Sequence, residues 1–255
     1  MAQTLIINGM IGIPVKRLRI CWLKKRWLLS GLAAVTITAR PISKCTAVLF
    51  RNMISFAGEK MVGHVRLDVP GMHNVPNSLA AIAAAVQAGA TIEQCITGLE
   101  SFHGAGRRFE KLAVCNGVTI ADDYAHHPAE LRVTLEAALK MGYNAVWAVF
   151  QPFTYSRTYL LMDDFAQVLS MADHVVMTEI MGSRERNTYN VYTAQLAEKI
   201  PGSVWFNTFD EVAQYVVDHA QKGDLVITLG CGDIYKAAKL MIQKYEEQGA
   251  DVNRI

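Results

Sequence analysis

The first 58 residues contain no aspartate and no glutamate, against nine lysines and arginines. The remaining residues hold 16 basic and 23 acidic side chains, so the net charge of +2 conceals two unlike parts. Cysteine pairs are lacking too. The five cysteines, Cys21, Cys45, Cys95, Cys115 and Cys231, are odd in number and nowhere spaced CxxC. That excludes a disulfide framework or a zinc knuckle and fits a reducing, cytoplasmic setting. No apolar run is long enough to cross a bilayer. The basic stretch from Lys16 followed by Trp27–Ala39 imitates a signal sequence, but the uncharged run is 13 residues, and a span needs about 20. The bulky apolar residues between the basic ones form no nucleic-acid module, so neither nucleic acid nor membrane is the expected partner. There is no internal repeat and no low-complexity tract. Residues 1–57 are expected to be an irregular basic leader. A wrong reading frame over this stretch is the other expectation, because so long an acid-free segment is foreign to soluble domains.

Order begins near Lys60. In "GHVRLDVPG", Val65, Leu67 and Val69 alternate with polar residues, which predicts a strand closed by Pro70-Gly71. "NVPNSLAAIAAAVQAGA" predicts an alanine-rich helix stopped near Gly89. "TIEQCITGLESF" predicts another, opened by Thr91 with Glu93 in its first turn. Strands are then expected at 118–122, 145–150, 174–178, 203–206 and 225–229. Helices are expected at 128–140, 158–171, 193–199, 209–220 and 234–248. The strands are short continuous apolar runs, as strands covered on both faces are. Their alternation with helices predicts an α/β, Rossmann-like, doubly wound and mainly parallel sheet.

Ligands of such sheets sit at the carboxyl ends of the strands. Four expected strand ends carry polar or glycine-rich turns: Asp122-Asp123-Tyr124, Gln151-Pro152, Glu179, and Gly230-Cys231-Gly232-Asp233. In "DDYAHHP" a carboxylate in the crevice suits a magnesium shell, a ribose hydroxyl or an ammonium group, and His126 and His127 suit an anion. Equally, Asp123 can cap the helix that Pro128 opens and the histidines can lie on the surface. In "GAGRRFE" a glycine joint carries two forked cations suited to phosphate, although paired arginines are also ordinary on solvated loops. Asn74 and Asn77, three apart at a helix start, share a face and offer the donors and acceptors that read a purine edge; capping is the plainer role. Arg157, with Thr154 and Ser156 near a helix start, suits a carboxylate or phosphate.

Taken in order, "PGMHNVPNSLAAIAAA", "FHGAGRRFE", "DDYAHHPAE", "VFQPFTYSRT", "DDFAQVLSMADHVVMTEI" and "LVITLGCGDIYK" resemble the Mur ligases over residues 58–255. The resemblance implies the end of a central ATPase domain at 58–106 and a C-terminal ligase domain at 107–255. It implies peptidoglycan synthesis, with ATP and Mg²⁺ as cofactors and, in the alanine-adding subgroup, UDP-N-acetylmuramate and L-alanine as substrates. In that chemistry the carboxylate is activated as an acyl phosphate, which an amine then attacks, and catalysis is mostly positioning and charge neutralisation. Residue by residue, it implies that Asn74 and Asn77 contact adenine. Arg108 reaches the ATP phosphates, with Arg107 a weaker neighbour, and Asp123 binds the ribose. His126 and His127 line the amino-acid and acyl-phosphate site, and Arg157 holds the alanine carboxylate. No residue is assigned to a metal.

Two departures stand out against the family pattern. Phe153 and Thr154 replace the His and Arg or Thr of many relatives. The phosphate-binding loop is also missing: no GK[ST] occurs among the 255 residues, nor do the downstream magnesium ligands or the UDP-sugar domain. A truncated, frameshifted gene would explain both this and the acid-free leader, with a chain inactive on its own. A recycling ligase that adds a tripeptide to the same sugar nucleotide, and a non-catalytic nucleotide- or amino-acid-binding module, are the alternative expectations.

Overall fold

A computed structural model describes residues 19–23, 26–30, 35–38, 51–57, 60–71 and 73–255, with side chains from residue 64. The chain divides into two compact units, residues 1–105 and 106–255.

In the first unit, β1 (Arg19–Leu23) and β2 (Arg26–Ser30) pair antiparallel. β3 (Val35–Thr38), β4 (Arg51–Ala57) and β5 (Lys60–Leu67) form an antiparallel sheet. The stretch expected to be an irregular leader thus carries four strands where it is described. The alternation in β5 is real: Val65, Leu67 and the following Val69 are buried, packed with Val75, Leu79 and Ile82 of α1 (Asn74–Gln87) and Cys95 of α2 (Ile92–Glu100). Thr91 caps α2 reciprocally: its Oγ1 accepts the Gln94 N–H at 3.3 Å, and Gln94 Oε1 accepts the Thr91 N–H at 2.9 Å.

The second unit is built on a seven-stranded sheet. Its strands are β6 (Glu110–Cys115), β7 (Val118–Asp123), β8 (Val146–Phe150), β9 (His174–Thr178), β10 (Val204–Phe206), β11 (Leu225–Leu229) and β12 (Val252–Arg254). Their order is β10-β9-β8-β11-β7-β6-β12. The first five are parallel, while β6 pairs antiparallel with both β7 and β12. The apolar runs are continuous because both faces are covered. Val146, Ala148 and Phe150 of β8 face one core, with Leu131 and Leu135 of α3 (Pro128–Leu139), Phe165 and Leu169 of α5 (Met162–Leu169), and Leu196 of α6 (Thr193–Ala197). Trp147 and Val149 face the other, with Val212 and Val216 of α7 (Phe209–His219) and Met241 and Ile242 of α8 (Tyr235–Glu247). Each fully buried leucine contributes about 1.5–3 kcal/mol.

The sheet is therefore doubly wound and mainly parallel, as its sequence predicts. Two details differ. The helix expected at 158–171 begins earlier and is broken, as α4 (Tyr155–Leu160) and α5. Thr154 sets the early start, its Oγ1 accepting the Arg157 N–H at 3.4 Å. At the break Leu161 turns against the core while Leu160 stays exposed. The antiparallel strands β6 and β12 were not expected at all.

What positions the site is the return of the chain. β7, β8 and β9 are each followed by helices on the first face. β11 then inserts between β7 and β8 and is followed by α8 on the second. The connections leaving β11 and its two neighbours diverge, so a crevice opens at their carboxyl ends.

Candidate active site

Three residues of the glycine joint anchor the crevice from one side. Arg107 and Phe109 both have positive φ, 58° and 49°, so the backbone doubles back and sends alternate side chains inward. The Arg107 N–H donates to Glu110 Oε2 at 2.7 Å. The Arg107 guanidinium donates through Nε to Asp122 Oδ2 and through Nη2 to the Gly230 carbonyl, both at 2.7 Å. It also lies 4.9 Å and 4.8 Å from the Tyr124 and Tyr235 ring centres. Asp122 is 1 % exposed, and its other oxygen accepts the Thr228 hydroxyl at 2.6 Å. Arg107 is thus held by its own fold, paired with a buried carboxylate, and ties the joint to β7 and to the turn after β11. Arg108 points the other way. It is exposed, lies 5.4 Å from the Tyr124 ring, and makes no ion pair among the described residues. Of the two cations, Arg108 is the one available to an anion.

Asp123 is 6 % exposed and both its oxygens are engaged. Oδ2 accepts the Phe109 N–H at 2.8 Å and Oδ1 the Ala125 N–H at 2.7 Å. Burial pushes its carboxyl above the usual range, and the two backbone donors and the Arg108 charge oppose that shift. Each oxygen keeps a further acceptor site, so the carboxylate can still receive a hydroxyl.

The adjacent histidines do different work. His126 Nδ1 lies 3.0 Å from the Tyr124 carbonyl, an obligate acceptor, and 3.3 Å from Glu130 Oε2. Nδ1 therefore carries a proton and donates, and in the neutral ring Nε2 is the acceptor on the other edge. His127 has the opposite arrangement. It is the N-cap of α3, and its Nδ1 accepts the Ala129 N–H at 3.2 Å. The helix cap is thus His127 and not Asp123. Glu130 completes the cap by accepting the His127 N–H at 3.3 Å.

Arg157 comes to the same place from α4. Its Nη1 donates to the His126 carbonyl at 3.5 Å, and its charge lowers the thiol of Cys231, which burial otherwise raises. His126, Arg157 and Cys231 therefore share the crevice. Phe153 packs there too, its ring centre 6.4 Å from that of His126. Among the described residues no group of three or more His, Cys, Asp or Glu is placed to hold a metal ion.

Asn74 and Asn77 lie in the first unit. They share a face of α1: Asn77 Nδ2 donates to Asn74 Oδ1 at 3.2 Å, and Asn74 Nδ2 to the Pro70 carbonyl at 2.6 Å. His73, not an asparagine, is the N-cap. Asn77 retains Oδ1 and one N–H for a ligand edge.

Residues 107–232 match the model of the Mur ligase, glutamate ligase domain. Residues 107–232 belong to the Mur ligase family. Among the relatives, the UDP-N-acetylmuramate–L-alanine ligase of Lachnospira eligens is 44% identical over 218 residues, covering 84% of this chain and 46% of that protein. The ligase of the same name from Agathobacter rectalis is 45% identical over 184 residues, 71% of this chain and 40% of its own. Among solved structures, the UDP-N-acetylmuramate–alanine ligase of Thermotoga maritima superposes with a TM-score of 0.65 at 25% identity, covering 80% of this chain and 45% of that one. The chain spans less than half the length of these Mur ligases.

One residue of the Mur domain was named in the sequence only as a strand end. Gln151 follows β8, is 7 % exposed, and its buried Oε1 has no hydrogen-bond partner among the described residues. The only signal for it in the sequence is its place after an apolar strand. Nothing in the pattern foretells that half of its amide is unpaired.

Proposed function

We propose that this chain forms the nucleotide-closing and amine-binding end of a UDP-N-acetylmuramate–L-alanine ligase acting in the cytoplasm in peptidoglycan synthesis. The observation that carries the reading is the convergence of Arg157 and His126 at the switch point of the sheet, a cation beside an imidazole whose Nε2 is an acceptor. Arg157 then binds the carboxylate of L-alanine, and His126 Nε2 accepts the proton that the attacking amine must lose. Arg108, exposed and without an ion pair among the described residues, meets the phosphates, and Asp123 receives a ribose hydroxyl. In the first unit, Asn77, oriented by Asn74, offers an amide that suits an adenine edge. His127 holds α3 in register behind His126.

When bound, ATP with Mg²⁺ would supply the γ-phosphoryl group that turns the substrate carboxylate into an acyl phosphate, ADP leaving. Arg108 and Asp123 fit the anionic and ribose parts of the nucleotide, and no residue is assigned to the metal. No phosphate-binding loop occurs among the 255 residues, so the charge clamp for activation comes from outside them.

Two measurements test this. The chain incubated with ATP, Mg²⁺, UDP-N-acetylmuramate and L-alanine should release no phosphate above background; sustained turnover would overturn the division of the site. Titration by NMR should show L-alanine binding that Arg157→Ala abolishes and that a muramyl tripeptide does not displace. Displacement by the tripeptide would favour the recycling ligase instead.

A further inference from the structure

An unpaired buried polar atom is costly, by about 1–3 kcal/mol relative to a satisfied one. Gln151 Oε1 is such an atom, and its surroundings indicate why it is kept. The amide is oriented by its other end: Nε2 donates to the Glu179 carbonyl at 3.3 Å. A flipped amide would set two carbonyl oxygens against each other, so Oε1 is the atom that faces the turn after β11. That turn is bare of side chains where it passes Gln151. A Cβ on Gly232 would lie 3.1 Å from Gln151 Oε1 and 2.6 Å from Met181 Sδ, and one on Gly230 would lie 3.1 Å from the Gln151 carbonyl. Phe153 lies against Gly232, 3.6 Å from where its Cβ would be. Phe153 in turn lies 6.4 Å, ring centre to ring centre, from His126, whose carbonyl accepts from Arg157 Nη1 at 3.5 Å. The buried Gln151 oxygen, the glycine turn and Arg157 are thus joined through Phe153 and His126.

We propose that Gln151 is the residue that receives the amino group of the incoming amino acid, its Oε1 accepting an N–H while Arg157 holds the carboxylate. The inference rests on the amino-acid reading of the crevice given above. A neutral acceptor suits this step better than a carboxylate. A carboxylate beside an ammonium group stabilises the charged form and raises its pKa, which withholds the lone pair needed for attack. A carboxamide oxygen fixes the direction of one N–H with far less of that penalty. The free lone pair is left to point at the acyl carbon, and His126 Nε2 remains the proton acceptor. The ligand chemistry is an α-amino acid with a primary amine.

The test compares L-alanine with propionate, which keeps the carboxylate and lacks the amine, titrated into the full chain by NMR. The native chain should bind L-alanine at least about tenfold more tightly than propionate, the loss expected for one hydrogen bond to a charged group. Gln151→Met should shrink that preference to less than about threefold while leaving propionate affinity unchanged. Gln151→Glu, which retains an acceptor, should keep the preference. Arg157→Ala should weaken both ligands. Equal affinity of the native chain for the two ligands, with Arg157 still required, would overturn the amine contact alone. So would an undiminished preference in Gln151→Met. If neither ligand binds the native chain, the amino-acid reading fails and this inference with it. If Gln151→Met does not fold, the ligand comparison in the native chain can still overturn the amine contact, and retention of the preference in Gln151→Glu still tests the acceptor.

Discussion

Replacing Arg107 should destabilise the unit that replacing Arg108 leaves unchanged. The two arginines are adjacent and chemically identical, yet the structure gives them opposite environments. Arg107→Met removes the partner of Asp122, whose side chain is 2 % exposed, while that of Arg107 is 26 % exposed. Breaking a buried pair by removing one member costs about 3–5 kcal/mol, because a charge is left unpaired. The partial exposure of Arg107 places the expected loss near the low end, at about 3 kcal/mol. The lost hydrogen bond to the Gly230 carbonyl and the contacts with Tyr124 and Tyr235 add to it. For a unit of this size that corresponds to a fall in Tm of about 10 °C. Arg108→Met, at an exposed site without an ion pair, should stay within about 0.5 kcal/mol. Adding Asp122→Leu to Arg107→Met should recover more than half the loss, since it removes the orphaned charge. Thr228 keeps a partner in that double variant, its hydroxyl also reaching the Ala121 carbonyl at 3.2 Å. Urea unfolding followed by tryptophan fluorescence, with circular dichroism as a second probe, measures all three. Equal losses for the two single variants would refute the assignment, and so would a double variant no better than Arg107→Met.

Three further outcomes follow from the same geometry. Asp123→Asn should cost about 1–3 kcal/mol, since an amide accepts through one oxygen and its NH₂ would face the Phe109 or Ala125 N–H; hydrogen exchange at those two amides should quicken, and unchanged exchange would contradict the clamp. Because the Asp123 carboxyl is raised in the folded state, its stabilising contribution is full below the ordinary value near 3.9 and is lost as pH rises through the raised one. A stability profile of Asp123→Asn should lack that acidic descent. At the α3 cap, His127→Asn should be nearly neutral and His127→Ala should cost about 1 kcal/mol by urea midpoint; equal effects would mean that the ring does not cap. Finally, burial pushes the Cys115 thiol up to about 11. Alkylation at pH 8 should spare Cys115 in the folded chain and label it in urea, whereas labelling at the rate of an open thiol would show that the core between the sheet and α8 does not cover it.

Much of the fold was legible because burial on both faces leaves a strong trace. A central strand such as β8 must present Val146, Ala148 and Phe150 to one core and Trp147 and Val149 to the other, so no polar position interrupts it. The two antiparallel strands at one end of the sheet, β6 and β12, leave no such trace. β6 opens with Glu110 and Lys111, and β12 is three residues with only Val252 apolar. Their pairing is fixed by the neighbours they find and not by their own pattern. The break between α4 and α5 was equally hidden, since Leu160 and Leu161 read alike and only packing sends one outward.

The site was legible as a set of residue types at strand ends and illegible as a division of labour. "RR", "DD" and "HH" each present two like residues in a row, and in each pair the fold makes one member structural. Arg107 is consumed by Asp122, and Asp122 by Arg107 and Thr228; His127 is consumed by its cap. What decides is the direction of each side chain. Along β7 consecutive residues point to opposite faces, and in the joint Arg107 and Phe109, both with positive φ, are half-buried and buried while Arg108 between them is exposed. Arg108 and His126 are left over by this sorting with unused hydrogen-bonding capacity, and Asp123 keeps a part of its own. Gln151 follows the same logic from the other direction. Its amide is half used, and the unused half is the oxygen that a donor would need to find.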